Sequence, residues 1–341
     1  MEALVLRIDV GPRIGLGHMR RATALAEEAR SLGLATLFAC SAQARPILER
    51  EGVSPDALIE PDAIEAAGPR ATVLVDTLWS GNGAATALEV ERLVAAGLTV
   101  AVLDSLPRDH YEVPPAGRGA DLVVTPYLAA ERFRSAPRAG RWLTGPAFCV
   151  LDPAFARARA GMGRRAGDRI LFSCGGSDPE GTTAAFLDRL GRDTRPVDVV
   201  IGPLFAGPLR ARIEAAAATR PAVTLHHAPT TLASLMAGAG LVAGRAGLQR
   251  YEAAALGRTG VYLHHGDSFH GYFEAFASSG LARIHFAARP GGVEGFLDDL
   301  ARIARPGAHL PELAFNEAAF AAVDGGGARR LIEAFWAVSR S

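Results

Sequence analysis

The chain has 341 residues, 49% of them hydrophobic and 21% charged, with 36 basic and 36 acidic side chains. That length suggests two domains with ample core. The composition excludes a disordered chain, and the zero net charge leaves no whole-chain field to attract nucleic acid or an anionic membrane.

The first half alternates short apolar runs with helical stretches. Ala3–Ile8 reads as a strand and Val10–Gly17 as a glycine-rich loop. A helix is expected from His18 to about Leu32, apolar at Ala22, Leu25, Ala26 and Ala29 and stopped by Gly33. Ala35–Ala39 is a strand, Ala44–Glu51 a helix, and Thr72–Val75 a buried strand ending in Asp76. Ala84–Ala96 is a helix capped by Gly97, Leu98–Leu103 a strand ending in Asp104, and Leu122–Thr125 and Trp142–Thr144 complete the set. The Arg- and Gly-rich stretch Arg157–Asp168 reads as a surface linker.

After it the pattern restarts. The strands are Arg169–Ser173, Pro196–Ile201, Val223–His226, Gly240–Gly244 and Gly260–His264. The helices are Gly181–Leu190, Leu209–Thr219, Leu232–Gly238, Leu248–Leu256 and Gly271–Ser279, and Cys174–Glu180 is a glycine-rich turn. Such alternation implies α/β domains with parallel, doubly wound sheets. The expected domains are 1–155 and 168–327, with an amphipathic helix in 328–341 crossing back onto the first.

All basic residues are Arg, so no lysine is present for Schiff-base chemistry or a P-loop. The three cysteines, Cys40, Cys149 and Cys174, lie in or beside apolar stretches and read as buried thiols, which suits the cytoplasm. The N-terminus does not read as a signal peptide, and no apolar run approaches the ~18–20 residues of a membrane helix.

Four turns carry the chemistry. In the first, Gly15 and Gly17 lie between a strand and a helix, where backbone can approach a ligand closely and helix N–H groups are free. The run is not the dinucleotide fingerprint, because the third glycine is missing. His18 stands at the helix start, where the dipole disfavours its charged form; it reads as a general base, or as an N-cap or phosphate-positioning residue. The second turn, Ser173-Cys174-Gly175-Gly176-Ser177-Asp178-Pro179, is anion-ready, or a tight turn with Asp178 capping the next helix. The third, Gly244-Arg245-Ala246-Gly247-Leu248, leads into a helix bearing Glu252, a candidate for a ribose diol or a surface carboxylate. The fourth, His264-His265-Gly266-Asp267-Ser268-Phe269-His270, matches no zinc spacing and reads as a polar ligand-facing loop.

Together these turns resemble one family. The run R-x-D-x-G-x-x-I-G-x-G-H-x-x-R from Arg7 to Arg21, followed by Leu25-Ala26, is similar to the start of the UDP-sugar hydrolase of pseudaminic acid synthesis and the related spore-coat-polysaccharide proteins. The likeness continues through Gly175–Pro179, Leu232–Met236, Gly247 and the Glu252…Leu256-Gly257 stretch. Those proteins are relatives of the lipid II-forming GlcNAc transferase. The resemblance implies the GT-B architecture: two Rossmann-like domains with a cleft between them. It implies a metal- and cofactor-independent hydrolase that attacks the anomeric carbon of a nucleotide sugar with water and inversion, in surface-glycan or nonulosonic-acid biosynthesis. His18 would be catalytic. Asp9, Gly15, Gly17, Arg21, Asp76, Asp267 and His270 would line the sugar side. Gly175, Gly176, Ser177, Arg245, Gly247, Leu248 and Glu252 would hold the nucleotide. Two departures fall on the sugar side: the family's Asp-His-Tyr-Gly is replaced by Asp76-Thr77-Leu78-Trp79, and its Asn-Gln by Gly266–His270. They bring in a glycosyltransferase with an unknown acceptor as the alternative, and a binding protein without turnover as a third reading.

Overall fold

A computed structural model describes residues 2–11, 14, 16–77, 81–103, 111, 119–133, 140–164, 167–266, 270–307 and 314–339, without the side chain of His270. The chain forms two compact units, Met1–Pro153 with Gly325–Ser341, and Ala154–Asp324.

Unit 1 is built on seven parallel strands: β1 (Ala3–Ile8), β2 (Ala35–Ala39), β3 (Leu58–Ile59), β4 (Ala71–Asp76), β5 (Thr99–Leu103), β6 (Leu122–Thr125) and β7 (Arg141–Thr144). Their order is β3-β2-β1-β4-β5-β6-β7. Helices α1 (Gly17–Ser31), α2 (Arg45–Arg50), α3 (Gly83–Ala95) and α4 (Ala130–Phe133) lie in the connections. Every residue of β4 is buried, as expected for a central parallel strand covered on both faces. In α1, Met19, Ala22, Leu25, Ala26 and Ala29 are buried at helical spacing, and Gly33 at φ 76° ends the helix.

Unit 2 opens with α5 (Pro153–Gly161), so the expected linker is helical as far as Gly161. Its Arg-rich composition conceals a packing face: Phe155 is fully buried, and the Arg159 guanidinium stacks 3.2 Å over the Phe320 ring. Six parallel strands follow: β8 (Arg169–Ser173), β9 (Val197–Ile201), β10 (Val223–His227), β11 (Ala239–Arg245), β12 (Thr259–His264) and β13 (Ala282–Phe286), in the order β10-β9-β8-β11-β12-β13. Between and after them run α6 (Thr182–Arg189), α7 (Gly207–Ala218), α8 (Ala233–Gly238), α9 (Gln249–Ala255), α10 (His270–Ser278), α11 (Gly292–Ile303) and α12 (Glu317–Ala322). The core of this unit centres on Phe172, Phe186, Val199, Leu241, Val261 and Phe296.

The last helix, α13 (Gly327–Val338), belongs to unit 1 and packs against α1. Leu331, Ile332 and Phe335 are its buried face. Gly327 is where the helix meets the rest of the unit, because a Cβ there would collide with the Cys149 carbonyl.

Candidate functional site

Each sheet has one place where the strand order reverses, β1/β4 in unit 1 and β8/β11 in unit 2. Ligands of open α/β sheets bind outside the carboxyl ends of the strands at such a point, where the connecting loops diverge to opposite faces.

In unit 1 the turn after β1 leads into α1, and β4 ends in Asp76. His18 is the second residue of α1, which starts from Leu16 without a side-chain cap, so His18 does not cap the helix. Its ring instead reaches across the reversal point: Nδ1 lies 2.8 Å from Asp76 Oδ1. Arg21, one turn later on the same helix face, donates from Nε to Asp76 Oδ2 and from Nη2 to Oδ1, both at 2.8 Å. His18, Arg21 and Asp76 are 7%, 7% and 2% exposed. Burial alone would raise the Asp76 carboxyl, but the Arg21 charge and His18 override it and hold the group well below the usual carboxylate range. The same contact holds Arg21 above its ordinary value against the effect of burial. Arg21 and Asp76, expected on the sugar side, are therefore engaged with each other and with His18. Among the described residues, no hydrogen-bond partner of His18 Nε2 is found.

Asp9 stands at the end of β1 and pairs with Arg7 at 3.1 Å, while Arg7 Nε donates to Glu89 of α3 at 2.7 Å. Gly17 is the first residue of α1. Gly15 and Asp267 lie outside the described residues, as does the side chain of His270.

In unit 2, Gly175 takes φ 78° in the turn after β8. Asp178 is buried and its two carboxylate oxygens accept from the backbone N–H groups of Thr182 and Thr183, at 3.0 and 2.8 Å. It therefore caps α6 by satisfying the N–H groups of its first two residues. Asp178 thus acts as the capping reading of this turn expects. The turn after β11 differs. Gly244, at φ 135°, passes so close to Ser173 that a Cβ would strike its carbonyl. Gln249 Nε2 donates to the carbonyls of Ser173 and Arg245 at 3.0 and 2.7 Å, tying the two turns across the reversal point. Arg245 pairs with Glu180 at 3.3 Å. A Cβ at Gly247 meets no described atom within 4 Å. Leu248 precedes α9, and Glu252 sits in its first turn. Burial, and then the Glu252 charge, push the Tyr262 hydroxyl far up.

The histidine-rich loop divides. His264 is a packing residue, stacked on Phe273 with centroids 4.0 Å apart. His265, named from the sequence only as part of this loop, brings Nε2 to 3.3 Å from Thr182 Oγ1 at the start of α6. Burial lowers its pKa. Among the described residues no group of three or more His, Cys, Asp or Glu side chains is arranged to hold a metal ion.

The sequence matches no protein-family profile and no curated protein. Solved structures do match in fold. MurG from Acinetobacter baumannii is 14% identical over 98% of this chain and 99% of that one, with a TM-score of 0.57. A putative UDP-N-acetylglucosamine 2-epimerase from Listeria monocytogenes is 14% identical over 97% and 95%, with a TM-score of 0.60. HepE from Anabaena, solved with UDP and glucose, is 12% identical over 98% and 100%, with a TM-score of 0.55. At such identities the likeness is one of fold. The chain has the α/β GT-B fold, two Rossmann-like domains each on a parallel sheet. Among the described residues no helix is long and apolar enough to cross a membrane.

Proposed function

We propose that the protein is a nucleotide-sugar hydrolase, with a UDP-sugar as the preferred class of substrate and His18 as its base. The observation that carries this reading is the His18 imidazole, buried beside an ionised carboxylate at the strand-order reversal of unit 1. The glycine-rich turns at the reversal of unit 2 support a nucleotide there, and fold neighbours that act on or were solved with UDP compounds support its identity. In this reaction His18 takes a proton from water, and the water oxygen bonds to the anomeric carbon. The bond from that carbon to the diphosphate oxygen breaks, and its electron pair leaves with the nucleoside diphosphate. Backbone N–H groups of the turn around Gly247 and Leu248 stabilise the departing charge. Gly175, Gly176, Ser177, Arg245 and Glu252 complete the proposed nucleotide side, and Asp9 and Gly17 the sugar side.

The test is incubation with UDP-, CMP-, GDP- and dTDP-sugars without acceptor, with the released nucleotide quantified. Release from one donor that disappears in His18→Ala supports the hydrolase. Full activity in His18→Ala removes His18 from the mechanism.

A second reading, a glycosyltransferase, is favoured by the Thr77-Leu78-Trp79 replacement on the sugar side. It requires that release stay slow until an acceptor is added. Conversion to an isomeric nucleotide sugar without release would refute both.

A further inference from the structure

The three buried groups of unit 1 fix more than the position of His18. We infer that Asp76, itself clamped by Arg21, sets the tautomer of His18: Nδ1 carries the proton and Nε2 presents its lone pair as the working nitrogen. This rests on the reading of His18 as the base.

An ionised carboxylate has only acceptors to offer. Arg21 keeps Asp76 ionised by donating to both of its oxygens at 2.8 Å. Asp76 Oδ1 and His18 Nδ1 are also 2.8 Å apart. Two lone pairs cannot face each other at that separation in a buried site, so a proton lies between them. It cannot reside on Asp76, whose carboxyl is held low by the guanidinium, so it resides on Nδ1. The remaining contact, Arg21 Nη2 to His18 Nδ1 at 3.1 Å, is then no hydrogen bond. It is two donors converging on the same oxygen.

Arg21 also fixes the carboxylate against the ring by donating to both of its oxygens. The other groups near this cluster are Tyr127, in the loop after β6, and Cys149, before α5; both are neutral in their ordinary forms and lie close to the Arg21 guanidinium. Asp76 and Arg21 are thus positioning residues, acting on the reaction through the ring they hold.

The test reads the ring nitrogens directly. The full chain is prepared with 15N-histidine, and long-range 1H–15N correlations are recorded without ligand near neutral pH. The His18 signals are assigned by their loss in His18→Gln. The expected pattern is a protonated Nδ1 and an unprotonated Nε2; a protonated Nε2 in the wild-type chain overturns the inference. In Asp76→Asn the amide oxygen faces Arg21 and the amide N–H faces Nδ1, so the proton is expected to move to Nε2. An unchanged pattern there removes Asp76 as the determinant. Should that variant not fold, Arg21→Lys keeps Asp76 ionised and is expected to retain the wild-type pattern, and a switched tautomer counts against the inference. With an active donor in hand, Asp76→Asn is expected to lower kcat by about 100-fold or more with little change in KM. A fall in kcat/KM carried by KM alone contradicts a positioning role. The spectroscopic readout needs no substrate. A chain that hydrolyses no nucleotide sugar but shows the Nδ1–H tautomer refutes the proposed function and not this inference, and an active chain with the other tautomer does the reverse.

Discussion

Replacing Arg21 by Met tests whether the buried cluster holds unit 1 together. The substitution keeps an unbranched apolar side chain, removes the guanidinium, and leaves Asp76 only 2% exposed with His18 as its remaining partner. Removing one partner of a buried ion pair costs about 3–5 kcal/mol, because the other charge stays desolvated. At about 2–4 °C per kcal/mol for a domain of this size, the expected drop in Tm is about 6–20 °C. The assay is selective: the three tryptophans, Trp79, Trp142 and Trp336, all fall in unit 1, so their fluorescence follows that unit alone. Asp76→Asn removes the charge from the other side, and the double variant should cost less than the two singles combined, by about 1–3 kcal/mol. The pH dependence has a definite sign. The folded carboxyl is depressed, so its contribution is fully present above the ordinary carboxylate pKa of about 3.9 and is lost as the pH falls below that value. The gap in stability between wild type and Asp76→Asn should therefore narrow on acidification. A gap that stays constant from neutral pH to about pH 3, or an Arg21→Met chain as stable as wild type, would refute the coupling.

Three further outcomes follow from the packing. Gly327→Ala places a Cβ against the Cys149 carbonyl at the start of α13, so unfolding followed by tryptophan fluorescence should show unit 1 weakened by about 1–3 kcal/mol. Asp178→Ala strips the Thr182 and Thr183 N–H groups of their acceptor. Denaturant unfolding followed by circular dichroism should register a loss of about 1–2 kcal/mol. Gly244→Ala and Gly247→Ala should separate fold from ligand. The first clashes with Ser173 and requires φ 135°, and should lower the thermal midpoint. The second meets no described atom within 4 Å and should leave the midpoint unchanged while calorimetry shows weaker UDP binding.

Strands buried on both faces were legible as apolar runs, and glycines marked several helix ends. The unread parts have local explanations. β13 alternates Ala282, Ile284 and Phe286 with Arg283 and His285, whose side chains pair with Asp299 of α11. The alternation is the signal of an edge strand, but the charged positions broke the apolar run. In α11, Phe296, Leu297, Leu300 and Ile303 recur at helical spacing, so this element was readable from periodicity. The His18 cluster was not. Its members were each legible, His18 and Arg21 at a helix start and Asp76 at a strand end, yet Asp76 is 58 residues from His18 and 55 from Arg21. Only the pairing of β4 with β1 brings them together, and no local pattern encodes which strand neighbours which.

The two reversal points have different chemistry, and the difference bears on where each half of a substrate would be handled. Unit 1 concentrates three ionisable side chains at one point. Such a cluster carries a desolvation penalty that tight docking does not need, but a base held in one orientation does. Unit 2 lines its reversal point with glycines, a serine and amide groups, and keeps Arg245 on Glu180. Of its two turns, the first has its helix donors filled by Asp178. The second has Gly247, where an added Cβ meets no described atom within 4 Å. Under the proposed function a ligand lying against that backbone would account for the glycine. For a leaving diphosphate, N–H groups fixed in that turn would stabilise the developing charge without reorganising. Under the proposed function the phosphates would lie against the turn after β11, with the Gly175-Gly176 turn, which leads into the Asp178 cap of α6, beside it.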